Sequence, residues 1–593
     1  MGEPDGPCLF NVSDPCFRQA SQTSGPVPFQ SAFPIHRLAV TSLLCATPSQ
    51  VIETQTGKIQ GKTYKFPGCP QVDCYLGIPY GQPPVGELRF KKPLPAIKWE
   101  GIRDCSKFGP RAPQIDFMDA ERPASVDEDC LNLNVFVPSG DKFEAYDNSS
   151  RGRPVLVFIH GGGYAFHSAS DYGDKGMCTT ICRKGVIVVT IQYRLAFLGF
   201  LTTGDSVAPG NFGLFDQALA LKWVKENIEA FGGDSDNVTV SGQSAGGSSC
   251  DLLSISPVSR DLFQKVLPLG GNAECSFAMD TTENVAAACR TFTKEMGWEE
   301  DSKLASISAQ NVSLVAFLRG LPSQDLALGM LGKPGFEINQ KKLELVPVYD
   351  GEFLPKPLDE LRKEAPKKTC MIGATEFEGL FFVTVKQLPA TEEFMERAIR
   401  SGLAIHDHEE DEDIKKVVEE IKSAFWRREE DDEKRKMRAL CRIIGDITIL
   451  ASLPTYTSKM TLAGHTVYLF SFDYARSGRL GLGHLMPFLA ATHCSELPYL
   501  FGKGPFYEFD PDEEDKVVIE QFTTLVANFC RYGNPNGLEG DSWKEATPEN
   551  PFAYFSVNEN CEMKENYQER RSKLWIEGLR KVKEIRGRNK ARI

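Results

Sequence analysis

Histidine is scarce in this chain, eight among 593 residues. Imidazole is the usual general base near neutral pH, so a hydrolytic site has a short list to draw on. Tryptophan is rarer, at six. Positive charge is in deficit, with 67 Lys and Arg against 80 Asp and Glu, a net charge of −13 and a pI near 5.4. That balance argues against a broad basic surface for nucleic acid. No run of eighteen apolar residues is present, so no membrane-spanning helix is expected. No Cys-x-x-Cys pair or His/Cys cluster has zinc-ligand spacing, and no metal or other cofactor is expected. No internal repeat and no dividing linker are evident.

What is present centres on Phe231–Gly247. A glycine turn leads into a short alternating strand over Asn237–Ser241, followed by Gly242-Gln243-Ser244-Ala245-Gly246. Gly-x-Ser-x-Gly between a strand and a helix is a nucleophile elbow, a strained turn that projects a serine hydroxyl beyond the C-terminal edge of a parallel sheet. About eighty residues upstream, the buried-type strand Arg153–Ile159 ends in His160-Gly161-Gly162-Gly163-Tyr164. A glycine run after a strand lets backbone N–H groups converge on one oxygen atom, as an oxyanion hole requires.

The serine needs a base and an acid, and behind an elbow of this kind the order Ser…acid…His is expected. His36, His406 and His408 lie in irregular or acidic stretches, and His465 precedes the strand Thr466–Phe472, at the end away from a ligand crevice. His160 and His167 flank the glycine loop. His484 and His493 sit after the strand, where the base is expected, and spacing alone leaves both open. For the acid, the strand Lys368–Ala374 leads to Glu376 and Glu378, with Asp473 a third candidate. Other strand-like runs, such as Gly185–Ile191, alternate with amphipathic helices, and Leu214, Ala218, Leu221, Val224 and Ile228 form one apolar helix face. The pattern predicts an α/β fold with a large, mostly parallel sheet flanked by helices.

Further motifs carry a family resemblance. They are Tyr75-Leu76-Gly77-Ile78-Pro79-Tyr80, Pro83–Phe90, Glu128-Asp129-Cys130-Leu131-Asn132-Leu133-Asn134-Val135, Tyr193-Arg194 and Asn211–Gln217. With the elbow, they make the chain similar to the type-B carboxylesterases of the carboxylesterase/cholinesterase family, on its non-cholinesterase branch, from about Val51 to about Gly578. The resemblance implies an α/β-hydrolase fold and a serine carboxylic-ester hydrolase working through an acyl-enzyme on small-molecule esters. It implies Ser244 as nucleophile, Glu378 as acid and His493 as base, with Gly162, Gly163 and Ala245 at the oxyanion positions. It also implies a buried Ser256 supporting the acid, and structural ion pairs Arg89–Glu128 and Arg194–Asp216. Leu343 and Leu345 stand where cholinesterases carry aromatic acyl-pocket residues. No tryptophan lies between Cys105 and Cys130, where cholinesterases place one for a quaternary ammonium. Neutral small-to-medium esters are the expected substrates, with acyl transfer or lipase-like or hormone-ester hydrolysis by the same triad as the alternatives, and the unbroken triad argues against a non-catalytic binding homologue.

The sequence expectation for organisation is a poorly ordered segment 1–50, a hydrolase domain 51–578 and a basic tail 579–593. A short signal-like stretch lies at 37–46, and no standard signal peptide begins at Met1. Of the family's disulfide positions, the partner expected for Cys130 is Ala112, and the second pair is filled by Trp298 and Phe317. Cys105–Cys130 and Cys275–Cys289 remain as alternative pairs. The expectation is mostly free thiols and a cytoplasmic enzyme, with secretion as the alternative. Sequons occur at Asn11, Asn148, Asn237 and Asn311.

Overall fold

A computed structural model describes residues 46–66, 69–116, 124–139, 152–329, 343–405, 411–427, 432–476 and 483–590. His36, His406, His408, Asn11, Asn148 and nearly all of the signal-like stretch lie outside the described residues.

One sheet of thirteen strands forms the centre. From one edge its order is Thr47–Glu53, Lys58–Tyr64, Gln71–Pro79, Asn132–Ser139, Ile187–Ile191, Arg153–Ile159, Gly233–Gln243, Lys265–Leu269, Thr369–Thr375, Thr466–Phe472, Tyr554–Val557 and Glu562–Lys564, with Ile102–Asp104 beside the second strand. Pairing is parallel from Ile187–Ile191 through Tyr554–Val557 and antiparallel at both flanks, apart from Ile102–Asp104, which runs parallel to Lys58–Tyr64. This is the α/β architecture expected. The central strands are buried on both faces, so they read as unbroken apolar runs such as Val155–Ile159.

Helices cover both faces. The stripe Leu214, Ala218, Leu221, Val224 and Ile228 is buried on the main core. Helix Ala245–Ile255 is buried throughout its length. Its Asp251 accepts both ends of the Arg362 guanidinium, at 2.7 and 3.0 Å. Arg194 and Asp216 form a second bidentate pair at 2.8 and 2.7 Å, the side chains 1% and 0% exposed. Arg89 and Glu128 also pair, at 2.6 Å. Removing one member of such a buried pair strands the other charge, at a cost of about 3–5 kcal/mol. Both ion pairs implied by the resemblance are therefore present.

Some expectations hold and others are refined. The helical run Glu433–Leu462 is apolar and long enough to cross a membrane, yet 72% of its apolar window is buried inside the protein, as in a core helix. Small polar residues such as Gly445, Thr448 and Ser452 conceal it from a search for unbroken apolar runs. Helix Ser572–Lys590 runs through the boundary expected at 578. The fourteen cysteines among the described residues, including Cys105, Cys130, Cys275 and Cys289, are free thiols. Asn311 is 2% exposed and bonded to Thr203 O and Asp205, which leaves its sequon inaccessible in the folded chain. Asn237 holds Lys265 and the carbonyl of Arg531, a structural role.

Candidate active site

Strand Gly233–Gln243 passes directly into helix Ala245–Ile255, and Ser244 makes the turn at φ 59°, ψ −124°. A non-glycine residue reaches that region only at a cost of order 1–3 kcal/mol, and such strain gathers at functional sites. Three glycines make the turn sterically possible. A Cβ on Gly246 would stand 2.1 Å from Ile159 O, one on Gly242 2.4 Å from Gly246 O, and one on Gly271 2.1 Å from Ser244 O. Ser244 is half-buried, whereas its neighbours on both sides are buried. Its hydroxyl has no hydrogen-bond partner among the described residues.

The loop after strand Arg153–Ile159 lies against the elbow. Gly161 is so close that a Cβ there would meet Ser244 Cβ at 2.9 Å. Gly162 and Gly163 adopt φ 94° and 59°. Gly162 O accepts from Ala165 N and Phe166 N, which closes the loop. The N–H groups of Gly162, Gly163 and Ala245 have no acceptor among the described residues.

His493 is 6% exposed, and its Nδ1 meets Glu378 Oε2 at 2.5 Å. That bond fixes Nδ1–H as the donor and leaves Nε2 as the basic nitrogen. Glu378 opens helix Glu378–Val385 directly beyond strand Thr369–Thr375, and its Oε1 accepts from Thr375 N at 2.8 Å. The rings of Phe381 and Phe382, on the same helix, flank the imidazole at 5.8 and 4.9 Å. Among the alternatives, His484 is exposed in a short turn, Gly483–Leu485. Glu376 and Asp473 line a separate cleft beside Arg442 and Lys564.

Ser256 does not support the acid. Its hydroxyl donates to Phe353 O at 2.6 Å and accepts from Val258 N. The residue beside the acid is Gly270, at φ 53°, whose Cβ would meet Glu378 Oε1 at 3.2 Å and His493 Cε1 at 3.5 Å. Leu343 packs its methyls about Gly163, at 3.2 and 3.3 Å from the position of a Cβ there. Leu345 is buried in the main core.

Sequence reasoning named Gln243, Glu496, His160 and His167 without settling what they do. Gln243 Nε2 lies 3.2 Å from His493 Nε2 and 3.4 Å from Nδ1. Near-equal approach to both nitrogens requires the amide to sit over the ring face, leaving the in-plane lone pair of Nε2 open. Glu496 is 3% exposed and its Oε2 has no hydrogen-bond partner among the described residues. Burial, reinforced by Glu378, pushes its carboxyl well above the usual range. It shares a short motif with His493, but no spacing rule reveals its protonation. His160 and His167 are both buried beneath the glycine loop. Burial holds His160 neutral, at a pKa of about 3, while His167 Nδ1 bonds Asp171 at 2.8 Å.

A strained serine, unpaired N–H groups beside it and an imidazole–carboxylate pair are the parts of an acyl-transfer centre. The sequence profile described as Carboxylesterase family matches residues 48–575. Esterase cest-33 of Caenorhabditis elegans is 39% identical over 541 residues, 88% of this chain and 94% of that protein. Carboxylesterase 1C of Mus musculus is 29% identical over 550 residues, 90% and 93% of the two chains. The medium-chain fatty acyl-CoA hydrolase precursor of Anas platyrhynchos is 29% identical over 553 residues, 89% and 92%. The chain belongs to the carboxylesterase family, with its α/β-hydrolase fold, and is a serine carboxylic-ester hydrolase.

Proposed function

We propose that Ser244 is the nucleophile, His493 the base and Glu378 the acid that orients it. The observation that carries this is the 2.5 Å contact between His493 Nδ1 and Glu378, behind an elbow that leaves Ser244 Oγ unbonded. Rotation of the hydroxyl toward Nε2 passes its proton to the imidazole as oxygen attacks the ester carbonyl. Nδ1–H then donates to a carboxylate that stays ionised and stabilises the imidazolium. The N–H groups of Gly162, Gly163 and Ala245 receive the oxyanion, each worth about 3–4 kcal/mol in the transition state. The alcohol departs with the proton from His493, and water repeats the sequence to free the acid and Ser244.

The substrates proposed are neutral esters with short-to-medium acyl groups. Phe381 and Phe382 flank the imidazole, and Leu343 narrows the space at Gly163 without an aromatic ring. Gln243 is neutral where a carboxylate would attract a cation. The test compares kcat/KM for acetylcholine and its uncharged isostere 3,3-dimethylbutyl acetate. The neutral ester should be favoured at least tenfold; equal values would refute the substrate class.

A further inference from the structure

A second cleft, of about 310 Å³, lies at the opposite end of the sheet from Ser244. Lys265 and Thr369 are the first residues of their strands, so it opens at the N-terminal edge. Lys265, Lys367, Lys368 and Arg531 line it, with the hydroxyl-bearing Thr369, Thr466 and Tyr532, and no acidic residue among the described lining.

Two of these ammonium groups are held inside the protein. Lys265 is 8% exposed and Lys368 is 5% exposed. Their contacts are neutral oxygens. Lys265 donates to Asn237 Oδ1, and Lys368 to Arg260 O and Phe263 O at 2.7 and 2.6 Å. Exposed Lys367 donates to Ala463 O, at the end of helix Ser452–Leu462. Asp234 and Asp261 act on Lys265 and Lys368 only from beyond ion-pair distance. Burial without a close counter-charge lowers both lysines, Lys368 to about 8. Neighbouring His465, 6% exposed, has no partner at Nε2 among the described residues; burial and the positive charge of Lys367 and Arg362 hold it near 4.

Carbonyl contacts explain where each chain is anchored, but they do not discharge it. A buried cation is costly until an anion pairs with it. Four cationic residues line this one cleft, with Arg531 also donating to Lys184 O, and in a protein of net charge −13 that lining is one an entering anion complements. A carboxylate brings one charge and two oxygens. A phosphate brings up to two charges and three or four acceptors, which match the cations and hydroxyls present. We propose that this cleft binds a phosphate group, as inorganic phosphate or as a small phosphomonoester. The volume is at the small end of ligand pockets, which suits a phosphate carrying a few carbon atoms.

The test is isothermal titration of the full chain with inorganic phosphate and, separately, with glycerol 3-phosphate, at constant ionic strength set with chloride. Saturable one-to-one binding is expected. Equal affinities would assign the site to phosphate itself, and tighter binding of the ester to a phosphomonoester. Lys367→Glu, an exposed change, should weaken binding about tenfold or more. Lys265→Met should do the same, with thermal melting used to verify the fold. Absence of saturable binding to either ligand at about 10 mM would overturn the proposal. So would binding that is unchanged in both variants.

Discussion

The two ends of the central sheet use the same strands for opposite purposes. At the C-terminal edge, strands Gly233–Gln243, Lys265–Leu269 and Thr369–Thr375 end in Ser244, Gly270 and the turn to Glu378. At the N-terminal edge, the last two of these strands begin beside lysines that hold backbone carbonyls and Asn237. One end gathers a carboxylate, an imidazole and unpaired N–H groups around strained backbone. The other gathers cations on ordinary backbone. Helix N-termini and strand C-termini share one edge in a parallel α/β sheet, so N–H groups able to receive an oxyanion are available there. The difference teaches that the strand end sets where a reactive centre can form, while packing against His493 separates Glu378 from Glu376 and Asp473, which follow strand ends at the same edge.

Breaking the catalytic end should have the largest effect. His493→Ala and Glu378→Gln are each expected to lower kcat by roughly 10³-fold or more, since the members of a triad act as a unit. Exposed His484→Ala and cleft-facing Glu376→Gln should change it less than about threefold. Steady-state kinetics on p-nitrophenyl butyrate decide this, and an exchange of the severe and mild pairs would reverse the assignment.

Gly270→Ala comes next. Its methyl would press on Glu378 Oε1 at 3.2 Å and on the His493 ring at 3.5 Å, from a left-handed backbone. A loss of about 10- to 100-fold in kcat, with KM little altered, is expected. A change in KM alone would place the strain in the substrate pocket instead.

Gln243→Glu sharpens the comparison through pH. A carboxylate over the imidazole face favours its protonated form. The acidic limb of the kcat/KM profile should therefore move up, by about one pH unit. An unmoved limb would mean that the amide does not face the base.

The smallest effect concerns Glu496. Its folded pKa is raised, so above the unfolded value near 4.5 the unfolded chain binds fewer protons than the folded one. Glu496 therefore lets stability fall as pH rises from that value toward the folded pKa. Glu496→Gln should melt higher than the parent at pH 8 and lose that advantage at pH 4. Denaturation followed by circular dichroism at the two pH values checks the sign.

Local patterns made the skeleton legible. Thr466–Phe472 forms the strand expected there, and Arg153–Ile159 and Ser244 stand where the apolar run and the glycines place them. Choices between carboxylates and between histidines were not legible from spacing. His484 and His493 share one loop, and only packing buries His493 against Glu378. Ser256 was misassigned because a serine before proline carries no sign of its partner, here Phe353 O. The amide of Gln243 over the ring and the bond of His167 to Asp171 depend on how loops stack, which periodicity does not encode.

The central claim is that Ser244 forms the covalent acyl intermediate at this elbow. Labelling the full chain with a fluorophosphonate and mapping the modified peptide tests it most directly. The account predicts one adduct per chain, on Ser244, with loss of ester hydrolysis in step with labelling and no adduct in Ser244→Ala. An adduct on another residue, or full hydrolysis by Ser244→Ala, would contradict it.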